Sequence, residues 1–325
     1  MRFATLPNGT PDGRLHLVSR DNTRATPARA AQTLQAALEN WLSLAPALQV
    51  EYDALNQGGG APFDPVTAMA PLPRAWQWLD GSAFDSHGDL MKQLVGFDAK
   101  QGNRDMVLMY QGISDRFLSP TETAVFPSEG DQIDFEGEYG IITDAVPMGA
   151  NPAEAAAHIR LVVQINDWSL RAMAAAEMKS GFGVLRCKPR SSMAPVAVTP
   201  DELGNAWRDC QVALPLEVDF RGARFGAAHG YAMAAGFDRL VAHAAYSRDL
   251  VAGTVIGSGT VSNTDFREVG SSCIAERRGI EALDEGAPRT PFMREGETIR
   301  MEARLPDGSP LFGPIAQTVA LARKS

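Results

Sequence analysis

The chain has 325 residues, 45% of them hydrophobic and 21% charged, an ordinary globular balance with length for one large domain beside a small one. Its formal net charge is −9, with 30 Lys and Arg scattered among 39 Asp and Glu, which argues against a surface built for a nucleic-acid backbone. No run approaches the roughly 18 apolar residues that a membrane span needs, and the opening MRFATLPNGTPDG lacks the apolar stretch of a secretory signal, so a cytoplasmic protein is expected.

In chain order, residues 1–20 predict short strands around turns at Asn8-Gly9 and Asp12-Gly13, and residues 28–44 carry apolar positions at helical spacing. Gly58-Gly59-Gly60 followed by Pro62, Pro65, Pro71 and Pro73 is turn and linker chemistry. A small N-terminal α+β domain over 1–70 and a second domain over 71–325 follow from that break. Beyond it come short β-type runs, VLMYQ, IDFEGEYGII, APVAVT, VALPLEVDF, TVIGSGTVS and TIRMEARL, with NPAEAAAHIRLVVQIND helix-like among them and QTVALARKS a frayed tail. The strands do not alternate regularly with long helices, which points to a β-rich α+β fold with antiparallel or mixed sheet and not to a doubly wound one.

Cys187, Cys210 and Cys273 are odd in number and widely spaced, so reduced thiols are expected, with neither a disulfide framework nor a structural zinc site. The acids are more informative. On a strand, Glu136 and Glu138 point to the same face. Facing water they form a polar sheet surface; facing a pocket, their repulsion must be relieved by a proton, a cationic side chain or a metal. Asp167 follows an apolar run and precedes a helical turn, where it could cap the helix or face a cleft. A hard cation such as Mg²⁺ takes several oxygens at about 2.1 Å, and an oxygen set without His or Cys argues against zinc.

E-x-E on a strand, then N-D-x-S-x-R, a Lys in a small-residue loop, and G-S-G-T stand here as DFEGEYGII, INDWSLRA, GFGVLRCKPRSSMAP and AGTVIGSGTVSN. In order and spacing they resemble the fumarylacetoacetate hydrolase family over roughly residues 75–280. The resemblance implies a β-rich mixed-sheet roll and a divalent cation, Mg²⁺ with Mn²⁺ or Ca²⁺ as alternatives, held by Asp80, Glu136, Glu138 and Asp167. It also implies His87, seven residues after Asp80, as general base, with Glu276 in GSSCIAERRGIE as its acid partner and Lys188 beside the cation. Tyr110, Arg171 and Thr260 match substrate contacts, while His16, His158, His229 and His243 match nothing and read as structural.

The residues leave several local alternatives open. Asp115 could replace Asp80 as the fourth acid, Asp80 and His87 could share a helix face or a loop, and Arg171 could pair with Asp167 four residues earlier. The activity implied is hydrolytic carbon–carbon cleavage of a 2,4-dioxo acid, fumarylacetoacetate or a related acylpyruvate, in aromatic compound catabolism by a homodimer. Hydration of a 2-oxo-4-enoate or decarboxylation of a 2-oxo acid on the same fold is the alternative. Ser82, Ala174 and Met178 stand where fumarylacetoacetate hydrolases carry Tyr, Gln and Tyr, so the distal pocket is expected to differ.

Overall fold

The segment LVVQI at 161–165 is apolar on both faces of an extended chain, and it lies at the centre of the molecule as part of strand Ile159–Asn166. Val162 packs into one core with Tyr139 and Ile141, whereas Leu161, Val163 and Ile165 pack into a second core with Ile142 and Val255. A strand covered on both sides needs no polar face, which is why its sequence lacks alternation and resembles a helix. The helix-like reading of NPAEAAAHIRLVVQIND therefore holds only for Pro152–Ala156, capped by Asn151 and Glu154; the rest is this strand.

The computed structural model describes residues 1–95, 100, 103 and 105–323. Eleven strands form a mixed sheet, and five more, Ala124–Phe126, Pro215–Phe220, Ala223–His229, Thr298–Glu302 and Ile315–Leu321, form a second sheet. The first core, with Tyr139, Ile141 and Val162 from the large sheet and Val218, Ile299 and Val319 from the smaller one, joins the two. The supposed frayed tail is Ile315–Leu321, paired on both sides; Lys324 and Ser325 lie outside the described residues.

The N-terminal strands Arg2–Leu6 and Arg14–Val18 form the expected hairpin and join the large sheet through Arg2 opposite Val198. The helical signal at 28–44 resolves into Leu34–Glu39 and Trp41–Asn56. Thr33 fixes the later start by accepting from the Ala36 amide, and the triple glycine ends the second helix. No helix among the described residues is long and apolar enough to cross a membrane.

One end of the large sheet collects the chemistry. Strands Gln77–Gly81, Ile159–Asn166 and Thr254–Gly257 finish there, while Met109–Gly112 and Gly137–Thr143 start there. The register places Asp80 opposite Tyr110 and Gly257, Gly257 opposite Gly140, and Glu138 opposite Ile165, one turn of pleat from Asp167.

Candidate active site

Asp80, Glu138 and Asp167 each offer an oxygen within a group no more than 4.8 Å across, and all three are buried. Burial, followed by repulsion from Asp167, raises the Asp80 carboxyl to about 7. Burial, then Asp80 and Asp167, pushes Glu138 well above the carboxylate range, and neither of its oxygens has a hydrogen-bond partner. Such oxygens call for a proton or a cation. Three convergent buried carboxylates without nitrogen or sulfur fit a hard divalent cation.

Glu136 lies beside this group and is differently supplied. Lys188 Nζ is 2.7 Å and Arg171 Nη2 3.2 Å from its Oε1, Ser169 donates to the same oxygen at 2.5 Å, and Thr260 donates to Oε2. Burial alone would raise this carboxyl, but Arg171 and Lys188 outweigh it and hold it well below the usual range. Lys188 also binds Asp167, which accepts from Tyr110 and from Ser191 at 2.6 Å. Burial would lower the Lys188 ammonium, yet Asp167 and Glu136 hold it charged.

The alternatives left open by the sequence are resolved. Asp115 pairs with Arg190 at the surface, away from the acids. Asp80 ends a strand and His87 sits in the first turn of helix Asp85–Val95, so their spacing is strand, tight turn and helix, not two helical turns. Arg171 begins helix Arg171–Ser180, which leaves Asp167 outside the helix, and the guanidinium pairs with Asp134 at 2.8 Å instead. Gly259 has φ +77° and turns its N–H onto Asp80 at 3.1 Å, so this glycine serves a protein carboxylate.

His87 and Glu276 also meet: Nδ1 is 4.0 Å from Oε1, too long for a direct hydrogen bond. Glu276 is fully buried in the first turn of helix Ile274–Glu285, and Ser262 donates to its Oε1. Burial raises it from 4.5 to about 7, and burial lowers His87 to about 4, which leaves the imidazole a neutral base at physiological pH. A carboxyl raised in the fold costs stability as pH climbs from its unfolded value to its folded one. Glu276→Gln is thus expected to stabilise the fold by about 3 kcal/mol above pH 7 and by nothing below pH ~4.5. Urea melts at pH 8.5 and 4.5 check this; an equal effect at both would refute it.

Asp134 escaped the sequence reading. It is fully buried, accepts from the Ile274 and Ala275 amides at 2.8 and 2.9 Å, and anchors Arg171. The alternation Asp134, Glu136, Glu138 was the available signal. Gly257, read from the sequence only as part of the G-S-G-T motif, packs directly against the acids: a Cβ there would strike Asp80 Oδ1, the Trp78 ring and, at 2.8 Å, Glu138 Oε2. Gly257→Ala is expected to cost about 1–3 kcal/mol through overpacking and to weaken divalent-cation binding by displacing both acids. Denaturant melts and calorimetric titration would show both losses together.

Residues 1–74 match the family described as fumarylacetoacetase N-terminal domain 2, and residues 77–320 match fumarylacetoacetate (FAA) hydrolase C-terminal. The chain belongs to the fumarylacetoacetate hydrolase family. A search of curated proteins finds no match. Among solved structures this FAA hydrolase family enzyme is similar to a provisionally assigned HpcE protein from Mycobacterium smegmatis, with 20% identity, TM-score 0.71, and coverage of 99% of this chain and 100% of that one. It is also similar to a 5-carboxymethyl-2-hydroxymuconate delta-isomerase from Mycobacterium smegmatis, at 14% identity, TM-score 0.62, and 100% of each chain. A maleylpyruvate hydrolase from Sphingobium sp. SYK-6, solved with manganese(II) and pyruvate, aligns at 15% identity and TM-score 0.64 over 99% of this chain and 100% of that one. At these identities the likeness carries the FAA hydrolase fold.

Proposed function

We propose that this enzyme hydrolyses the carbon–carbon bond between C3 and C4 of a 2,4-dioxo acid of the acylpyruvate class, a step of aromatic compound catabolism. The observation that carries the reading is His87 beside fully buried Glu276, next to the acidic cluster. A hydratase, isomerase or decarboxylase needs to stabilise an enolate but has no need to activate a water for attack on a carbonyl. A histidine kept neutral by burial, with a carboxylate to orient its ring, suits that activation.

His87 takes a proton from water as the water oxygen adds to C4. Collapse breaks the C3–C4 bond, leaves a carboxylic acid, and passes the electron pair to C3 as the enolate of pyruvate, which is then protonated. Lys188, held charged by Asp167 and Glu136, stabilises negative charge developing at the substrate oxygens. Tyr110, Arg171 and Thr260 orient the substrate and the acids they touch. Asp80, Glu138 and Asp167, with Glu136 beside them, would hold Mg²⁺ or Mn²⁺, and a bound cation supplies Lewis-acid stabilisation of the 2-oxo-acid end.

The reading extends to a two-fold homodimer, the commonest closed assembly, and to a division of the chain near residue 70; light scattering and limited proteolysis check these. The activity is tested with a panel of acylpyruvates, 2-oxo-4-enoates, hydroxymuconate-type isomerase substrates and 2-oxo diacids, assayed after EDTA and after restoration of Mn²⁺. Cation-dependent loss of dioxo-acid absorbance, with pyruvate released, is expected. Turnover confined to the enoates, isomerase substrates or diacids would overturn the hydrolase reading.

A further inference from the structure

Behind the carboxylates lies a second set of donors of a different kind. A ring nitrogen of His87, the sulfur of Cys273 and a carboxylate oxygen of Glu276 all lie within 4.8 Å of one another. His87 comes from helix Asp85–Val95, while Cys273 and Glu276 come from the start of helix Ile274–Glu285. The three are poorly satisfied among themselves. Nδ1 of His87 and Oε2 of Glu276 are buried without a hydrogen-bond partner, and the Cys273 sulfur accepts only a weak bond from the Glu276 amide at 3.3 Å. Glu276 and Cys273 are fully buried, whereas the His87 side chain keeps 15% of its surface exposed, so the group opens to solvent on the histidine side.

We propose that His87, Cys273 and Glu276 form a second cation site that takes a borderline divalent ion, Zn²⁺ above all, and that its occupation inhibits the enzyme. One imidazole nitrogen, one thiolate and one carboxylate oxygen, with a fourth position left open, is a donor set zinc favours. Mg²⁺ disfavours sulfur and nitrogen, so it does not compete for this donor set. The thiol proton leaves to solvent as the sulfur binds the ion. Inhibition rests on the reading of His87 as the base, because a coordinated imidazole no longer has its lone pair for a proton. Excess Mg²⁺, directed to the oxygen cluster, does not relieve it.

Cobalt(II) is the probe, since thiolate bound to Co²⁺ gives a near-ultraviolet charge-transfer band that an all-oxygen site cannot. With Mg²⁺ saturating, one equivalent of Co²⁺ is expected to raise that band in the full chain and in Cys187→Ser, and not in Cys273→Ser. Serine preserves the helix cap at 273 with a better acceptor, and the zinc concentration for half inhibition, measured against that variant's own zinc-free rate, is expected to rise at least about tenfold. His87→Ala should weaken Co²⁺ binding, read by titration of the band, by a similar factor. Absence of the band, or its survival in Cys273→Ser, would overturn the site; a normal band with turnover indifferent to Zn²⁺ would overturn the inhibition. The band is read without any substrate, so failure of the acylpyruvate assay and failure of this site are separate results.

Discussion

His87→Ala is expected to reduce acylpyruvate turnover by about 10²–10⁴-fold, the usual worth of a positioned general base, while the affinity for Mn²⁺ stays within about twofold. The separation follows from the geometry: the cation-fitting oxygens belong to Asp80, Glu138 and Asp167, and His87 is not in that group. The pH profile carries a second signature. Burial takes His87 down to about 4, so its own protonation does not limit activity near neutrality, whereas Glu276 is raised to about 7. Ionised Glu276 orients and supports the imidazole as it gains charge. Turnover in the wild type should rise with pH through about 7, an ionisation belonging to the pair, and the residual rate of His87→Ala should lack that limb. A full-rate His87→Ala enzyme would remove the hydrolase reading, and loss of Mn²⁺ binding with the rate would recast His87 as structural.

Much of this site was readable because sheet register converts local motifs into shared geometry. Glu138 lies within one strand motif, Asp80 and Gly257 are register partners on parallel strands, and Asp167 follows directly from the end of a third strand. Once a motif ends at the same edge as another, distance along the chain no longer matters. Glu276 was reached only through the resemblance of GSSCIAERRGIE, and the structure supplies the physical reason for its place. Cys273 caps a helix by accepting from the Glu276 amide, so the segment C-I-A-E fixes an acid in the first helical turn, facing inward.

Other features were hidden by physics that a single sequence does not display. Asp134 holds two amides at 274 and 275, some 140 residues away, and nothing near Asp134 announces that debt. Strand Ile159–Asn166 looked helical because both its faces are covered. The terminal strand Ile315–Leu321 looked frayed because its partners, Thr298–Glu302 and Ala124–Phe126, are identified only by the second sheet. Glu136 and Glu138 looked equivalent in E-x-E, yet one receives Lys188, Arg171, Ser169 and Thr260 and the other receives no hydrogen bond.

That inequality makes Glu138→Gln the sharpest test of the cation site, because the substitution should raise the metal-free stability and abolish the stability gained from metal. Stripped of divalent ions, wild type buries a carboxyl whose range is raised by desolvation, Asp80 and Asp167. Its cost to stability is absent below the unfolded carboxylate value and grows as pH rises toward the folded one. At pH 8 the metal-free glutamine variant should therefore melt above metal-free wild type, because the substitution removes a carboxyl whose ionisation the fold resists. At pH 4.5 the difference should vanish. Adding Mn²⁺ works the other way: wild type gains about 2.7 kcal/mol at one hundred times its dissociation constant, while the variant, weakened at least about 100-fold, gains almost nothing. A solvated carboxylate would show neither effect, and a carboxylate held by a protein cation would be destabilised by the substitution in both conditions. Melts of the two proteins with EDTA and with Mn²⁺ thus distinguish a metal ligand from each of its structural substitutes, and a variant less stable than wild type without metal would remove Glu138 from the site.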